Sequence, residues 1–360
     1  MSNISASHHQ LTREEIHGWP KAELHSHLDG ALRLETMLEL AKEQGKLNLL
    51  PANTIDDLEV ELRKIDDSTD LAEYLAWYKY TIPLMQSASA LERIAYEMAV
   101  DSARDNVRYL EVRYGPVLHT EEGLSLAAVN NAVLDGLARA EQETGIITGL
   151  IVCALRDRYV SASVRQAKLA VDFRYQGVVG FDLAGAEAGN PPKEHIGAFY
   201  HARNHLLNLT VHAGESWGPD SIRQALFYLG AQRIGHGITL VEDEELLEYV
   251  VNQQIPLEIC PTSNVQTHVV ADFESHPIGE LVKAGVAVTV NTDSLLFSRT
   301  TVTEELYRVH TRCGISTEEL REIALNGFRF AFLPYAERQR LLKKVTTEFP
   351  IPPSEKTPAW

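Results

Sequence analysis

His25 and His27 are separated by one serine and lie at the end of a short apolar run that begins at residue 22. Residues i and i+2 of a β-strand face the same side, so both imidazoles would point in one direction. Two converging neutral imidazoles are donors that zinc favours. The pair alone is weak evidence, because 14 histidines among 360 residues would produce roughly 0.5 such pairs by chance.

Other metal-binding or proton-transferring residue types also follow short apolar runs. His212 and Glu215 follow one run, His236 ends the next, and Asp293 ends the last. Functional groups of barrel enzymes cluster at the C-terminal ends of the strands, where these side chains would meet. This placement therefore predicts a metal site rather than separate buried histidines.

The predicted ligands are His25, His27, His212 and Asp293, because all four are carried by predicted strands. A catalytic zinc ion keeps one position open for water, and Asp293 could accept a proton from that water while it ligates. Glu215 lies three residues beyond His212 and is predicted to transfer a proton. His236, on the next predicted strand, is predicted to orient the water and to stabilise charge.

The elements that would position these groups alternate between short β-rich runs and longer amphipathic stretches. Strands alternating with helices predict βαβ units and a parallel sheet, and eight units in about 270 residues suit a (β/α)8 TIM barrel. An open doubly wound sheet is the competing fold, but the sequence has no GxGxxG fingerprint. The eight predicted strands are 22–28, 108–114, 150–155, 178–183, 209–213, 233–235, 256–260 and 286–291.

We expect one domain over 1–360, with a polar N-terminal tail at 1–15 and extra helices at the C-terminus. The first connection, 32–106, is long enough to form a helical insertion or lid over the barrel. Its aromatic residues near 74–78 fit either packing under an extra helical layer, which we favour, or a lid.

The end of the fourth predicted strand bears on the number of metal ions. Binuclear barrel hydrolases often bridge two ions with a lysine at this position, and residues 180–185 contain no lysine. One ion per chain is therefore predicted.

Composition excludes several classes of partner. The net charge is −17 without a block of like charges, which argues against binding to nucleic acid or to an anionic membrane. Residues 1–20 lack an apolar signal core, and no run of 18 apolar residues occurs. Three widely spaced cysteines, without a CxxC motif, indicate no disulfide framework and favour a cytoplasmic location. The oligomeric state and the native metal cannot be read from the sequence.

Six segments together resemble the adenosine deaminase family of metal-dependent barrel hydrolases. The resemblance implies zinc-dependent hydrolytic deamination of adenosine and 2′-deoxyadenosine to inosine or deoxyinosine and ammonia, in purine salvage, so the partner would be a small purine nucleoside. The segments are 20–30, 181–185, 211–215, 233–237, 260–264 and 291–293.

The same resemblance implies roles for individual residues. Glu215 would donate a proton to purine N1, while the backbone of Gly185 would meet purine N3. Asp29 would accept the ribose 5′-hydroxyl, and a carboxylate there would repel a 5′-phosphate, which favours a nucleoside over AMP. His27 would also lie beside the substrate.

Two positions depart from the family pattern. Ala186 and Ser294 stand where the family commonly has aspartate. In the family the second of these aspartates contacts purine N7, and a serine hydroxyl could donate the same bond. The departures leave open a deaminase for adenine, an N6-substituted nucleotide or a 5′-modified adenosine. A barrel that binds metal and ligand without turnover is a more distant alternative, which Glu215 and His236 argue against.

Overall fold

A computed structural model describes residues 10–349 of the chain. Eight parallel strands follow one another around a barrel in chain order, each paired with its sequence neighbour. Every predicted strand is present, although the last two are shorter than predicted. The strands are β1 (Lys21–His27), β2 (Val107–Tyr114), β3 (Ile147–Leu155), β4 (Val178–Ala184), β5 (Asn208–Ala213), β6 (Arg233–His236), β7 (Leu257–Ile259) and β8 (Val288–Val290).

Sixteen α-helices within residues 10–349 surround the strands and complete a (β/α)8 TIM barrel. One helix, Pro219–Gln224, continues as a π-helix over Ala225–Leu229 that ends at Gly230. The helices are α1 (Arg13–His17), α2 (Leu34–Glu43), α3 (Ile55–Leu62), α4 (Leu71–Leu75), α5 (Ala88–Arg104), α6 (Leu126–Thr144), α7 (Val160–Asp172), α8 (Ile196–Asn204), α9 (Pro219–Gln224), α10 (Glu244–Gln253), α11 (Pro261–Gln266), α12 (Ile278–Lys283), α13 (Leu295–Ser298), α14 (Val302–Arg312), α15 (Thr317–Arg329) and α16 (Tyr335–Thr346).

The barrel closes between its first strand and the segment that follows its last strand. The backbone nitrogen of His27 donates to the carbonyl of Asp293 at 2.7 Å, and the nitrogen of Asp293 donates to the carbonyl of His25 at 2.9 Å. These bonds place the predicted metal ligands of β1 directly beside Asp293. Closure of the sheet therefore brings together three of the four predicted ligands, His25, His27 and Asp293.

The long connection after β1 contains α2 to α5 with short 3₁₀ turns between them. Its boundaries agree with the predicted insertion at 32–106, and α14 to α16 supply the extra C-terminal helices. The predicted tail at 1–15 lies partly outside the described residues, while α1 begins at Arg13. Among residues 10–349, no helix is both long and apolar enough to cross a membrane.

The hydrophobic core lies mainly between the outer face of the barrel and the helices, where alternate strand residues such as Leu24, Val112 and Val211 are fully buried. The barrel interior differs, because it contains charged side chains that are also fully buried. Arg113, Glu258 and Asp182 belong to this inner layer. The barrel is therefore an apolar shell around a polar centre, and the polar centre leads to the site.

Candidate active site

A cavity of about 400 Å³ opens at the C-terminal ends of the strands. One wall carries residues of the strand ends, including His27, His212, His236 and Asp293, with Glu215 just beyond β5. The opposite wall comes from the insertion. Its side chains are Leu71, Tyr74, Leu75, Tyr78 and Ile82. The aromatic residues near 74–78 thus pack against the barrel and also line the cavity.

Four buried side chains can direct one donor atom each to a common centre. Donor atoms of His25, His212, His236 and Asp293 all lie within 4.8 Å of one another. The Nε2 atom of His25 is 3.5 Å from Oδ1 of Asp293. The structure therefore brings together groups from β1, β5, β6 and the end of β8, as predicted from their positions at strand ends.

His27 also reaches this centre. Its Nε2 lies 3.2 Å from Nε2 of His212 and 3.4 Å from Oδ1 of Asp293. Five side chains thus converge on one point, and distances alone do not separate ligands from neighbours. The assignment of His27 rather than His236 as a ligand stays a prediction. The hydrogen bonds of the rings show which nitrogen carries the proton and therefore which ring can ligate.

The chemistry of this group fits a divalent cation. The buried Nε2 of His25 has no hydrogen-bond partner among the described residues, and a cation would satisfy its lone pair. Burial lowers the pKa values of His27, His212 and His236, which keeps the imidazoles neutral as metal ligation requires. Three imidazoles and a carboxylate are a donor set that suits zinc.

Two of the imidazoles are backed by buried carboxylates that the sequence analysis did not single out. The Nδ1 of His25 lies 2.9 Å from Glu258, and Nδ1 of His212 lies 3.0 Å from Asp182. A carboxylate only accepts hydrogen bonds, so each Nδ1 carries the proton and each Nε2 presents a lone pair to the centre. Asp182 and Glu258 each lie inside a strand. Asp182 belongs to the 181–185 segment of the family resemblance, whereas strand alternation was the only sequence signal for Glu258.

His236 has the opposite arrangement. The Nδ2 of Asn264 donates to Nδ1 of His236 at 3.1 Å, so the neutral ring carries its proton on Nε2. That nitrogen lies 3.8 Å from Oε2 of Glu215. A protonated Nε2 donates a hydrogen bond and cannot ligate, which favours the predicted stabilising role. Asn264 was quoted only as part of the 260–264 segment, and its bond to His236 was not foreseen.

The backbone at these strand ends is in an unusual conformation. His236 and Asp293 have φ values of 63° and 59°, in the left-handed region that non-glycine residues rarely adopt. Such strain persists where surrounding contacts impose it, and it is common at functional sites. Gly235, which lies opposite His212 in β6, leaves room for the imidazole of His25. A Cβ on Gly235 would approach Cε1 of that ring to 3.0 Å.

The loop that carries Glu215 is held by a second glutamate, Glu187. Its carboxylate accepts backbone N–H groups from Gly214 at 2.7 Å, Glu215 at 3.0 Å, Ser216 at 2.5 Å and Trp217 at 3.1 Å. Four charge-assisted bonds to one buried carboxylate fix the path of this loop. Glu187 follows the Gly185-Ala186 departure and was not assigned a function from the sequence.

The environment of Glu215 favours its protonated form. Burial raises its pKa well above the ordinary value, and the negative charges of Asp293 and Glu187 raise it further. A carboxylic acid that keeps its proton near neutral pH can donate it to a substrate. The environment of Glu215 therefore suits the proton-donating role predicted for it.

Three of the four predicted substrate contacts, His27, Asp29 and Gly185, line the cavity. Asp29 is buried, and its Oδ1 has no hydrogen-bond partner among residues 10–349. Burial raises its pKa to about 7. A hydroxyl group of a ligand would give this oxygen the hydrogen-bond partner that it lacks among the described residues. Gly185 has a φ of 96°, which lets the backbone approach a ligand without a side chain.

Ser294 is placed differently from the other predicted contacts. It is fully buried, is not among the residues that line the cavity, and its Oγ lies 2.7 Å from the hydroxyl of Tyr78. Tyr78 itself lines the cavity. A direct contact from Ser294 to the base stays a prediction, and Tyr78 is a residue that sequence reasoning did not connect with it.

Six further histidines do not join the central group: His119, His195, His201, His205, His268 and His276. His119 and His195 are buried away from the cavity, and His201 stacks with His205 at 4.4 Å between ring centroids. His268 is exposed. His276 contacts Asn264 at 3.3 Å, so it supports His236 through that amide.

Comparison with known proteins agrees with this geometry. The sequence profile of the adenosine deaminase family matches residues 20–348. An adenosine deaminase from Mycobacterium sp. (strain JLS) is 42% identical over 351 residues, covering 93% of this chain and 96% of that protein. An adenosine deaminase from Mycobacterium leprae (strain TN) is 40% identical over 351 residues, with the same coverage.

Solved structures extend the likeness to deaminases of other aminopurines. An adenine deaminase from Arthrobacter aurescens superposes with a TM-score of 0.84 at 30% identity, covering 91% of this chain and 98% of that one. An Arabidopsis N6-mAMP deaminase superposes with a TM-score of 0.83 at 28% identity, covering 93% and 99%. The match over most of the chain, together with the barrel and its central histidines, shows that this chain belongs to the adenosine deaminase family and is a deaminase.

Proposed function

We propose that this enzyme hydrolyses the 6-amino group of adenosine and 2′-deoxyadenosine, giving inosine or deoxyinosine and ammonia. The observation that carries the proposal is the position of Glu215. Its protonated carboxyl lines a nucleoside-sized cavity beside the central histidines and Asp293. Adenosine deaminases about 40% identical over 93% of the chain support the substrate.

The ion that we expect is a single zinc per chain, held by His25, His27, His212 and Asp293. When bound there, zinc supplies Lewis-acid activation of a water molecule. The donor chemistry supports this set, because His25 and His212 present lone pairs from Nε2 while His236 presents a proton. The 2.6 Å bond from Ser263 to Oδ2 of Asp293 leaves Oδ1 directed at the centre.

The protein groups divide the remaining chemistry between them. Glu215 donates its proton to a ring nitrogen of the aminopurine, which withdraws electron density from the carbon that bears the amino group. His236 donates from Nε2 to the oxygen that attacks this carbon and stabilises its developing charge. Asp293 accepts the proton of the attacking water and passes it to the amino nitrogen. The carbon–nitrogen bond then breaks, ammonia leaves, and the proton of the added hydroxyl returns to Glu215, which Glu187 keeps at the cavity wall.

The nucleoside preference is supported by Asp29. Its buried oxygen, which has no partner among the described residues, suits a ribose hydroxyl, whereas a phosphate there would face a buried carboxyl group instead of a cation. One observation favours a nucleotide substrate as the second candidate: Arg158 lines the same cavity, and a guanidinium recognises phosphate well. The solved relatives include a complex with IMP, a nucleotide.

A substrate panel tests the proposal. Adenosine, 2′-deoxyadenosine, adenine, AMP and N6-methyl-AMP are compared by kcat/KM, following the fall in absorbance near the adenosine maximum and the release of ammonia. We expect adenosine to rank first, chelation to abolish turnover, and zinc to restore it. A higher kcat/KM for AMP, reduced to the adenosine level by Arg158→Ala, would replace the nucleoside with the nucleotide.

We further propose that the enzyme is cytoplasmic and that its reaction serves purine salvage. Cys153, Cys260 and Cys313 are free thiols in the structure, and unpaired cysteines are typical of reducing compartments.

A further inference from the structure

The two histidines that present lone pairs to the centre share a third partner. The backing carboxylates of His25 and His212 come from β7 and β4, and both accept hydrogen bonds from Arg113 of β2. The Nη1 of Arg113 lies 3.0 Å from Oδ2 of Asp182, and its Nη2 lies 2.7 Å from Oε2 of Glu258. Arg113 is the only described residue with hydrogen bonds to both carboxylates.

The carboxylates that Arg113 holds are the ones that back the histidines. Oε2 of Glu258 accepts from Arg113 and also lies 2.9 Å from Nδ1 of His25. In Asp182, Oδ2 accepts from Arg113, while Nδ1 of His212 lies 3.0 Å from Oδ2 and forms its hydrogen bond to Oδ1 at 3.2 Å. Each carboxylate thus lies between one guanidinium nitrogen and one imidazole. A displacement of the guanidinium would move both contacts together.

Arg113 also fixes the strand that carries His25. Its Nη2 donates to the carbonyl of Leu24 at 2.5 Å, immediately before His25 in β1. Arg113, Asp182 and Glu258 are all fully buried. A planar guanidinium with several directed N–H groups can hold three acceptors at fixed angles, which a lysine ammonium cannot do equally well.

The charges of this inner layer make Arg113 hard to replace. Three buried carboxylates, those of Glu111, Asp182 and Glu258, are paired with two buried guanidinium groups, those of Arg113 and Arg233. Arg233 reaches Glu258 only through the other oxygen, Oε1, at 2.6 Å, and it has no bond to Asp182. Among residues 10–349, Arg113 is the only arginine or lysine that forms an ion pair with Asp182, so its loss would leave that carboxylate without one.

We propose that Arg113 is a positioning residue that orients His25 and His212 as a pair, so that the affinity of the site for a divalent metal depends on a side chain that touches neither metal nor substrate. The inference rests on the metal role in the proposed function. In this inference, one guanidinium holds two metal ligands that lie on opposite sides of the barrel.

Metal affinity of the apoprotein tests the inference without substrate. Zn²⁺ binding is measured by competition with a chromophoric chelator for wild type, Arg113→Lys and Arg113→Met, with Arg233→Lys as the matched control. Losing one partner of a metal-binding histidine costs about 10- to 100-fold in affinity. We expect both Arg113 variants to lose at least that much, and Arg233→Lys to lose less because Oε2 of Glu258 keeps its bond to His25.

A second readout separates orientation from general stability. The visible spectrum of the Co²⁺-loaded protein reports ligand geometry, and we expect it to change in Arg113→Lys but not in Arg233→Lys. In a double-mutant cycle, Arg113→Lys and Asp182→Asn should lower Zn²⁺ affinity less than additively, because both disturb the same contact to His212. Circular dichroism melts establish that each variant is folded.

The outcomes are distinct. Folded Arg113 variants with wild-type Zn²⁺ affinity and an unchanged Co²⁺ spectrum would overturn the inference even if the wild type deaminates adenosine. Failure of the wild type to deaminate any aminopurine would overturn the proposed function and leave the affinity result standing. If neither Arg113 variant folds, Asp182→Asn and Glu258→Gln each test one arm, and wild-type affinity in both contradicts the inference.

Discussion

The two walls of the cavity are held in place by different interactions. On the wall formed by strand ends, His25, His212 and His236 each have a hydrogen bond to a buried carboxylate or amide. The wall from the insertion relies on packing, with Tyr78 against Phe297 at 4.9 Å between ring centroids. Two of its cavity-lining tyrosines also make neutral hydroxyl contacts, Tyr78 with Ser294 at 2.7 Å and Tyr74 with Ser298 at 3.5 Å.

This difference suggests that the strand wall carries out the reaction and that the insertion wall recognises the substrate. Proton transfer and metal binding depend on sub-ångström placement, which a closed sheet with paired charges can hold. The insertion supplies apolar and aromatic surface of adjustable shape, which suits recognition of a flat base. Substitutions on the strand wall should therefore lower kcat or metal binding, whereas those on the insertion wall should change affinity by smaller factors.

The largest effect is expected from Glu215→Gln. The amide keeps the shape but cannot give up a proton, and general acid catalysis typically contributes about 10²- to 10⁴-fold. We expect kcat to fall by that range while Zn²⁺ content stays at one ion per chain. Glu194→Gln, the same change at an exposed position, is the control, and wild-type kcat in Glu215→Gln would remove this residue from the mechanism.

The pH dependence follows from the raised pKa of Glu215. The protonated acid is the donor, so kcat should fall as the pH rises through this pKa, and the Glu194→Gln control should show the same alkaline limb.

The stability of the protein should depend on pH for the same reason. Because the pKa of Glu215 is higher in the folded than in the unfolded protein, the protein loses stability as the pH rises through the folded pKa. Glu215→Gln should therefore raise the melting temperature of the apoprotein more at pH 8 than at pH 5; an equal shift at both pH values would contradict the buried, protonated acid.

An intermediate effect is expected from Glu187→Gln, which disturbs the strand wall indirectly. The amide offers one acceptor oxygen and brings an N–H₂ group against the backbone donors of Gly214 to Trp217. We expect a loss of about 1–3 kcal/mol in the free energy of unfolding and a fall in kcat of about 10- to 100-fold from misplacement of Glu215. Unchanged kcat with reduced stability would make Glu187 a purely structural residue.

The smallest effects should lie on the insertion wall. Tyr78→Phe and Ser294→Ala remove partners of one neutral hydrogen bond, each costing about 0.5–1.5 kcal/mol in kcat/KM for adenosine. The double variant should cost little more than either single one, because the two changes break the same bond. Tyr80→Phe is the control from the same turn. Fully additive losses would show that Ser294 contacts the base independently, as the sequence suggested.

The sequence was sufficient for the barrel and for the central group. Strand periodicity placed His25 and His27 on one face, and the parallel arrangement placed His212, His236 and Asp293 at one end of the barrel. These inferences need only local periodicity and the rule that the C-terminal ends of parallel strands meet. Both are properties of short segments, and the structure confirms the convergence.

Only the tertiary structure decided which groups support the site. Glu258 lies 233 residues from His25 along the chain, so no local spacing connects them. Asp293 has a left-handed backbone conformation that interrupts strand alternation, and for this reason the direction of Ser294 could not be read from its position. Residue types and periodicity fix what a segment can offer, whereas barrel closure fixes which distant carboxylates, amides and guanidinium groups meet it.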